Sequence, residues 1–425
     1  MCIRDRLRIL LLGAISGFPW VIIGSSLSLW LQEDGLSRST IGWAGLIFAV
    51  YAFNYLWAPI IDRVRVPWLT NKVGHRRGWI IVMQTVILLS LVSWSLINPT
   101  ANLTLVISIG LIIAIASWGL NIVSGMAGQI NLAHGVFVGI GAYTSAVIGG
   151  VATSSVIGFE LDMIIWLPIS GIVAALVGII ISPVSARLKG LNLGLVTLAI
   201  VFIGSHFFSN FKSITGGAGL GRKAAKLKFL GVDLDSGLTF GNIILEKNLI
   251  IYYFSLFLCV LLGIGAKNLT RTKIGRAFSA IRDRDIAAEA LGINLFKYKM
   301  YAFALSSFYA GISGSLLFII SGGIEPGTFS LLYSITFIAI VIIGGVGTVL
   351  GPLYGAFFFT MLPGIIQNVL HLVGAADSGF FLNPGEIERI VFGFFIIFFL
   401  VVEPRGIWGI WFRLRNYFKA WPFSY

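Results

Sequence analysis

Long apolar runs alternate with short polar connections along the whole chain. The runs are about 17 to 25 residues long, enough for an α-helix to cross the roughly 30 Å hydrocarbon layer of a bilayer. They lack the every-second-residue alternation of a membrane barrel strand. The pattern therefore predicts an all-α, polytopic membrane protein with about twelve transmembrane helices. The predicted spans are 7–31, 41–61, 79–97, 103–124, 130–150, 164–185, 191–208, 249–266, 300–320, 331–346, 353–370 and 390–402.

The composition excludes a soluble protein. Hydrophobic residues make up 57% of the 425 residues and charged residues only 11%, and the mean hydropathy is +0.94. A soluble chain of this balance would expose apolar patches larger than monomers tolerate. The 51 glycines fit membrane helices, where glycine lets two backbones approach closely.

The net charge of +13 follows the membrane topology and does not indicate nucleic acid binding. Most lysines and arginines precede the first predicted span, fill the connections after the second, sixth and eighth spans, or lie in the C-terminal tail. These segments share one side of the membrane, which the positive-inside rule makes cytoplasmic. Both termini are then cytoplasmic. The connection 212–248 is an exception, because on the predicted outer side it carries Arg222, Lys223, Lys226 and Lys228.

The segment AIRDRDIAAEALGINLFKYK, residues 280–299, is a charged stretch between two apolar spans. Good helix formers, aspartates near its start and Gly292 near its end predict one short cytoplasmic helix. Two interpretations remain open. The helix is either a solvated connector or a docking element, in which Ala287 and Ala288 permit close approach to a partner protein.

No catalytic or metal-binding constellation is present in the sequence. The two cysteines lie far apart, and the four histidines lack metal-ligand spacing. The stretch GGAGLGRK, residues 216–223, resembles a phosphate-binding loop, but Arg222 and Lys223 stand where that loop needs lysine and a hydroxyl side chain. The chain is therefore expected to be no enzyme and to hold no metal and no cofactor.

Two interrupted apolar segments are candidates for a substrate pathway. In SGMAGQINLAHGVFVGIGAY, residues 124–143, glycines interleave with polar residues, as in a broken membrane helix whose free backbone groups line a cavity. The positive end of such a half-helix suits an amino-acid carboxylate. Close helix packing through small residues is the alternative. The candidate pathway residues are Gly128, Gln129, Asn131 and His134 in the first segment, with Gly344, Gly345 and Gly347 in the second.

Acidic residues occur only in connections or at span edges. A proton-driven carrier usually needs an ionisable relay at membrane depth. The energy for transport is therefore expected to come from elsewhere, and the substrate to have an uncharged side chain.

The stretch AIRDRDIAAEALGIN resembles the coupling loop of ATP-binding-cassette (ABC) importer permeases, in the variant found in branched-chain amino acid permeases of the LivM type. The general loop motif is Glu-Ala-Ala, three residues, then Gly; here Ile286 replaces the glutamate. The resemblance covers the chain from about residue 105 to the C-terminus. It also includes SGMAGQINLAHGVFVGIGAYTSAV, LNLGLVTLAIVF, SITGGAGLG, GGIEPGTFSLLYSITFIAIVIIGGVGTVLGPLYGA and VVEPRGIWGIWFRLRNYFKAWPF.

This resemblance implies a multi-pass permease subunit of the bacterial inner membrane that imports leucine, isoleucine or valine by alternating access. Its implied partners are a sister permease, two ABC ATPase subunits that bind ATP and magnesium, an extracytoplasmic amino-acid-binding protein and membrane lipid. Permeases for urea or short-chain amides share the same motifs and stay open as an alternative. The implied coupling loop is residues 267–299, and its implied coupling residues are Arg282, Asp283, Asp285, Ala287, Ala288, Glu289 and Gly292.

Residues 7–100 resemble a different family, the muropeptide permeases of the AmpG type, which belong to the major facilitator superfamily. The facilitator-like segment is predicted to be 7–102. The Asp62-Arg63 pair and the run GHRR at 74–77 match the facilitators' connection between their second and third helices. About three of the facilitators' twelve helices are present, against about nine of the ABC-permease type in 103–425. A facilitator-type secondary carrier is therefore the alternative from another class. Residues 1–6, MCIRDR, resemble translated sequencing-adapter DNA, so the open reading frame is expected to be a chimera.

Overall fold

A computed structural model describes residues 101–372 and 384–420, apart from 189, 218, 220, 236, 241 and 242. The chain divides into two units, Met1–Leu96 and Ile97–Tyr425. The first unit lies outside the described residues, as do the three predicted facilitator-like helices and the six adapter-like residues. The second unit is described by itself.

The described part of the chain is mostly helical. Its helices are α1 (Ala101–Leu120), α2 (His134–Gly149), α3 (Met163–Arg187), α4 (Leu191–Asn210), α5 (Lys212–Thr215), α6 (Lys247–Arg271), α7 (Lys273–Asp283), α8 (Asp285–Ala290), α9 (Leu295–Ser321), α10 (Leu331–Gly344), α11 (Gly351–Leu372), α12 (Pro384–Val402) and α13 (Gly406–Ala420). A π-helical turn, Asn121–Met126, continues α1, and a 3₁₀ turn, Pro326–Phe329, precedes α10.

Six short strands among the described residues form three antiparallel pairs. β1 (Arg222–Lys223) pairs with β6 (Gly323–Ile324), β2 (Lys228–Phe229) with β3 (Val232–Asp233), and β4 (Leu238–Phe240) with β5 (Ile243–Leu245).

The prediction of an all-α membrane protein is confirmed. Five helical segments within the described residues are long and apolar enough to cross a membrane, and the bent pair α12–α13, with 52° between its parts, would make a sixth. The count of about twelve spans stays a prediction. Two of the predicted spans are shorter than expected, because α2 has 16 residues and α10 has 14. At 1.5 Å per residue, α2 rises only about 24 Å.

The centre of the bundle is α9, which packs against α1, α2 and α3. Small residues permit this packing: a Cβ atom added at Gly141 of α2 would collide with the backbone of Gly311 in α9. The buried Ser313 hydroxyl of α9 donates to the Ile112 carbonyl of α1, at 2.8 Å. Close approach and serine hydrogen bonds are typical of helix packing in membranes. These four helices form the frame that holds the non-helical segments described below.

The coupling loop 267–299 lies at one end of the bundle, where α7 contacts the π-helical turn after α1. The connection 211–246 lies at the other end, where β1 pairs with β6. There the buried Arg222 guanidinium donates to the carbonyls of Ile214, Ala146 and Ile157. Burial lowers the pKa of this guanidinium from its usual value.

These contacts account for part of the exception to the positive-inside rule. Arg222 is buried, with 6% of its surface exposed. The Lys228 ammonium faces the Glu160 carboxylate, with 3.9 Å between the charged atoms. Arg222 and Lys228 are therefore already bound by groups of the chain itself.

Candidate functional site

The coupling loop contains two helices instead of the single predicted helix. The Thr272 hydroxyl caps α7 by accepting from the Gly275 N–H, at 3.3 Å. Arg284 has an extended backbone and separates α7 from α8. Gly292, with φ of +81°, ends the second helix, and the Ile293 N–H returns to the Ala288 carbonyl at 3.0 Å. A left-handed residue of this kind closes many helices, and glycine adopts it without steric cost.

The exposed side chains of α8 differ from those emphasised by the sequence. Ala288 is only 1% exposed, so the expectation that it approaches a partner is wrong: its methyl group is already covered by this chain. Ala287, Glu289 and Gly292 are exposed. Two apolar side chains in and just after α8 are also highly exposed, Ile286 at 75% and Leu291 at 81%. Sequence reasoning missed this pair, although an isoleucine and a leucine inside a charged, solvent-facing segment are a detectable signal.

The first break lies between α1 and α2 and re-enters the bundle. After the π-helical turn, residues 127–133 are non-helical, and α2 begins at His134. The His134 Nε2 atom is 2.9 Å from the Ala116 carbonyl of α1, ten residues before Met126. Ten helical residues rise about 15 Å. The segment 127–133 therefore folds back along α1 by about that distance.

Groups of the π-helical turn, of α4 and of the segment itself satisfy part of its hydrogen-bonding capacity. The Gln129 N–H donates to the Val123 carbonyl at 2.9 Å, the Leu132 N–H to the Thr197 hydroxyl at 3.1 Å, and the Ala133 N–H to the Asn131 Oδ1 atom at 3.0 Å. The segment is thus held in place without helical hydrogen bonds.

Several polar atoms of the first break are buried without a hydrogen-bond partner among the described residues. They are both amide atoms of Gln129, the Asn131 Nδ2 atom and the His134 Nδ1 atom. These three residues are 3%, 1% and 0% exposed. An unpaired buried polar group costs about 1–3 kcal/mol. The first break therefore holds donors and acceptors that water or a polar ligand can satisfy.

The second break lies between α10 and α11, at residues 345–350. Gly345 and Gly347 have φ of +127° and +75°, which residues with a Cβ atom rarely adopt. Asn121 ties this break to the π-helical turn: its Oδ1 atom accepts from the Gly347 N–H and its Nδ2 atom donates to the Thr348 carbonyl, both at 2.8 Å. The Trp118 Nε1 atom donates to the Val349 carbonyl at 2.5 Å.

Arg282, near the end of α7, reaches both breaks. Its Nη1 atom donates to the Gly125 carbonyl at 3.2 Å, and its Nε atom faces Asp283 at the same distance. A Cβ atom on Gly128 would lie 2.9 Å from the Arg282 Cγ atom, and one on Gly347 would lie 3.0 Å from Nη1. The structure thus brings Gly128 and Gly347 together at one coupling-loop residue.

The remaining candidate residues lie elsewhere. A Cβ atom on Gly344 would meet the backbone of Gly351 and Gly355 in α11, so Gly344 serves the packing of α10 on α11. Asp285 accepts from the Ile286 N–H within α8 at 2.9 Å. These contacts join Gly344 to α11 and Asp285 to α8, and they do not join either residue to the first break.

Comparison with known proteins finds similarity to two different families along this chain. The profile of the family described as branched-chain amino acid transport system / permease component matches residues 102–400. The high-affinity branched-chain amino acid transport system permease protein LivM of Escherichia coli K12 is 26% identical over 309 residues, 70% of this chain and 68% of that protein. The LivM protein of Salmonella typhimurium gives the same values.

Shorter matches come from the second family. The putative transporter AmpG 1 of Rickettsia bellii is 38% identical over 114 residues, 27% of this chain and 28% of that protein. The anhydromuropeptide permease of Escherichia coli K12 is 30% identical over 115 residues, 27% of this chain and 23% of that protein. The chain thus spans about a quarter of these relatives. No solved structure matches the chain significantly.

Replacing Asn121 with alanine is expected to destabilise the protein by about 2 kcal/mol or more, because it leaves the Gly347 N–H and the Thr348 carbonyl unpaired at about 1–3 kcal/mol each. The measurement is the thermal unfolding midpoint in detergent. Asn210→Ala is the matched control, since Asn210 is exposed and bonds only within its own helical turn. Equal midpoints for the two variants would contradict the proposed tie between the breaks.

Proposed function

Because the chain belongs to the family of branched-chain amino acid transport system permease components, we propose that residues 103–425 form the membrane subunit of an ABC importer for leucine, isoleucine or valine. Membership of this family makes the chain a transmembrane transport subunit of the ABC permease type. The proposal adds the substrate and a cycle of alternating access driven by separate ATPase subunits.

One observation carries this proposal: the coupling loop exposes Ile286 and Leu291 and, on its other side, contacts both helix breaks through Arg282. A loop with an apolar outer face and an attached inner face suits the transfer of motion from a bound partner. Exposed apolar side chains on a polar loop favour a protein partner.

The proposed partners are a sister permease, two ABC ATPase subunits that hold ATP and magnesium, and an extracytoplasmic amino-acid-binding protein. This chain would hold no cofactor. We propose an inner-membrane location with the coupling loop and both termini in the cytoplasm. The concentration of lysine and arginine in alternate connections supports that orientation.

Replacing Ile286 and Leu291 together with arginine is expected to abolish co-purification of the ATPase subunits. Charged side chains would then replace the two apolar side chains that we propose to be buried against the ATPase. The matched control is Leu230→Arg, the same change at a residue that is 72% exposed at the opposite end of the bundle. Unchanged co-purification of the double variant would contradict the docking role.

Leucine uptake by vesicles that carry this chain without ATPase subunits would favour a secondary carrier and contradict the importer.

The first break supports a role in the substrate pathway. Gln129, Asn131 and His134 place unpaired amide and imidazole atoms inside the bundle, where the polar ends of an amino acid can be bound. Gly128 and the glycines of the second break, Gly345 and Gly347, would then supply the backbone geometry beside it. Urea and short-chain amides also match amide donors and acceptors, so these substrates remain the alternative.

Gln129→Met keeps the length of the side chain and removes both unpaired atoms. If Gln129 binds substrate, the variant is expected to keep or raise its unfolding midpoint while the KM for leucine uptake rises about tenfold, the effect of losing one hydrogen bond of about 1.4 kcal/mol. Gln367→Met, at an exposed position of α11, is the control. An unchanged KM would remove Gln129 from the pathway. Uptake of urea in preference to leucine would identify the alternative substrate.

We further infer that residues 7–102 come from a second gene. Similarity to two families, one covering 102–400 and the other covering about a quarter of the chain, supports a chimeric open reading frame. Amplification of source DNA between the codons for Trp57 and Leu198 is expected to give no product. A continuous product would establish a natural fusion and require a role for the facilitator-like helices.

A further inference from the structure

We propose that Arg282 is a positioning residue that transmits movement of the coupling loop to both helix breaks at once, and that it is not a contact for the ATPase. The proposal rests on the importer function proposed above and assigns a mechanical role to one side chain of the loop. Three features surround it: two groups that hold its guanidinium, a helix end whose carbonyl it caps, and two glycines that pack against it.

The guanidinium is held from two sides. Asp283 faces its Nε atom at 3.2 Å, and the Gly125 carbonyl accepts from Nη1 at 3.2 Å. The planar fork of arginine presents donors in fixed directions, so it can hold both groups at the same time. Lysine has a single ammonium group on a flexible stem and cannot reproduce both directions together.

The Gly125 carbonyl is a natural partner for a cation. It lies in the π-helical turn that ends α1, and the last carbonyls of a helix have no partners within the helix. Their partial negative charge favours a positively charged side chain. Arg282 therefore caps the end of α1 from a different element, 157 residues further along the chain.

Arg282 fits here because two residues beside it lack side chains, Gly128 beside its Cγ atom and Gly347 beside its Nη1 atom. Cβ atoms at Gly128 and Gly347 would lie within about 3 Å of Arg282 atoms, and contacts that short force a neighbour to move. Gly128 belongs to the first break and Gly347 to the second. When α7 shifts, the Arg282 side chain moves with it. Because this side chain packs on both segments, its movement displaces both.

The ATPase-facing surface of the loop lies elsewhere. The Arg282 side chain is 42% exposed, whereas that of Asp283 is 69% exposed and Ile286 and Leu291 are more exposed still. The loop thus separates two tasks by position. Its exposed apolar pair docks, and Arg282 connects the docked loop to the breaks.

The test uses the complete importer in proteoliposomes, with Arg282→Ala, Arg282→Lys and the control Arg187→Ala. Arg187 is exposed at the end of α3, in a connection predicted on the same side of the membrane. Arg282→Ala is expected to co-purify with the ATPase subunits at the normal level and to hydrolyse ATP, while leucine imported per ATP falls about tenfold, the effect of losing one charge-assisted hydrogen bond. Arg282→Lys is expected to fall between Arg282→Ala and the wild type, and Arg187→Ala to match the wild type.

Two results in this assay would overturn the proposal: loss of ATPase co-purification in Arg282→Ala, which would make Arg282 a docking residue, or unchanged leucine import per ATP. Absence of ATP-dependent uptake by the unmodified importer would be a failure of the proposed function, and a second measurement separates that case.

Hydrogen exchange of the full chain in lipid nanodiscs tests the contact without any transport. Arg282→Ala is expected to speed exchange of the amides in 127–133 and in 345–349 together, relative to Arg187→Ala, with α9 unchanged. Faster exchange in both segments supports the proposal. Faster exchange in one segment alone, or in neither, overturns the claim that a single side chain holds both breaks.

Discussion

Every polar backbone group inside a membrane must find a partner within the protein, and this constraint shapes the described part of the chain. Helices meet it automatically, whereas the segments 127–133 and 345–350 cannot. Their N–H and carbonyl groups are satisfied by side chains at fixed positions, above all Asn121, which serves Gly347 and Thr348, and Thr197, which serves Leu132. Removing helical structure from a membrane interior thus requires specific polar residues elsewhere, and those residues locate the part of the bundle where the chain departs from simple packing.

The two breaks explain why α2 and α10 are too short to span a bilayer alone. A helix that begins at His134, about 15 Å back along α1, leaves room for a re-entrant segment, and a helix that ends at Gly344 leaves room for the second break beside it. The frame of α1, α2, α3 and α9 stays closely packed through glycine and serine contacts. Rigid helices therefore surround two segments that depend on a few hydrogen bonds, and the coupling loop attaches at those segments.

Sequence alone predicted what depends on local composition. The apolar runs indicated membrane helices, glycines interleaved with polar residues marked the first break, a cluster of glycines marked the second, and Gly292 marked the end of α8. The rest depends on contacts between residues far apart in the chain. Asn121 gave no signal within its apolar neighbourhood, because its partners lie 226 and 227 positions away. The sequence predicted that Ala288 is available for docking. A local pattern does not indicate that the rest of the chain buries this residue. The single predicted coupling helix divides because Arg284 is extended, which its neighbours do not specify.

A small number of hydrogen bonds determines how firmly the two breaks are held. A neutral hydrogen bond contributes about 0.5–1.5 kcal/mol net, and one to a charged group about 1.5–3 kcal/mol. Two bonds from Asn121 and one from Arg282 therefore stabilise the junction by a few kcal/mol, enough to favour one arrangement strongly. Differences in partner affinity of similar size can reverse such an equilibrium. The unpaired amide of Gln129 acts in the opposite direction, because its burial costs free energy that a polar ligand would recover. In the proposed function, ligand binding and loop movement would thus act on the same short stretch of chain, from its inner and outer ends respectively.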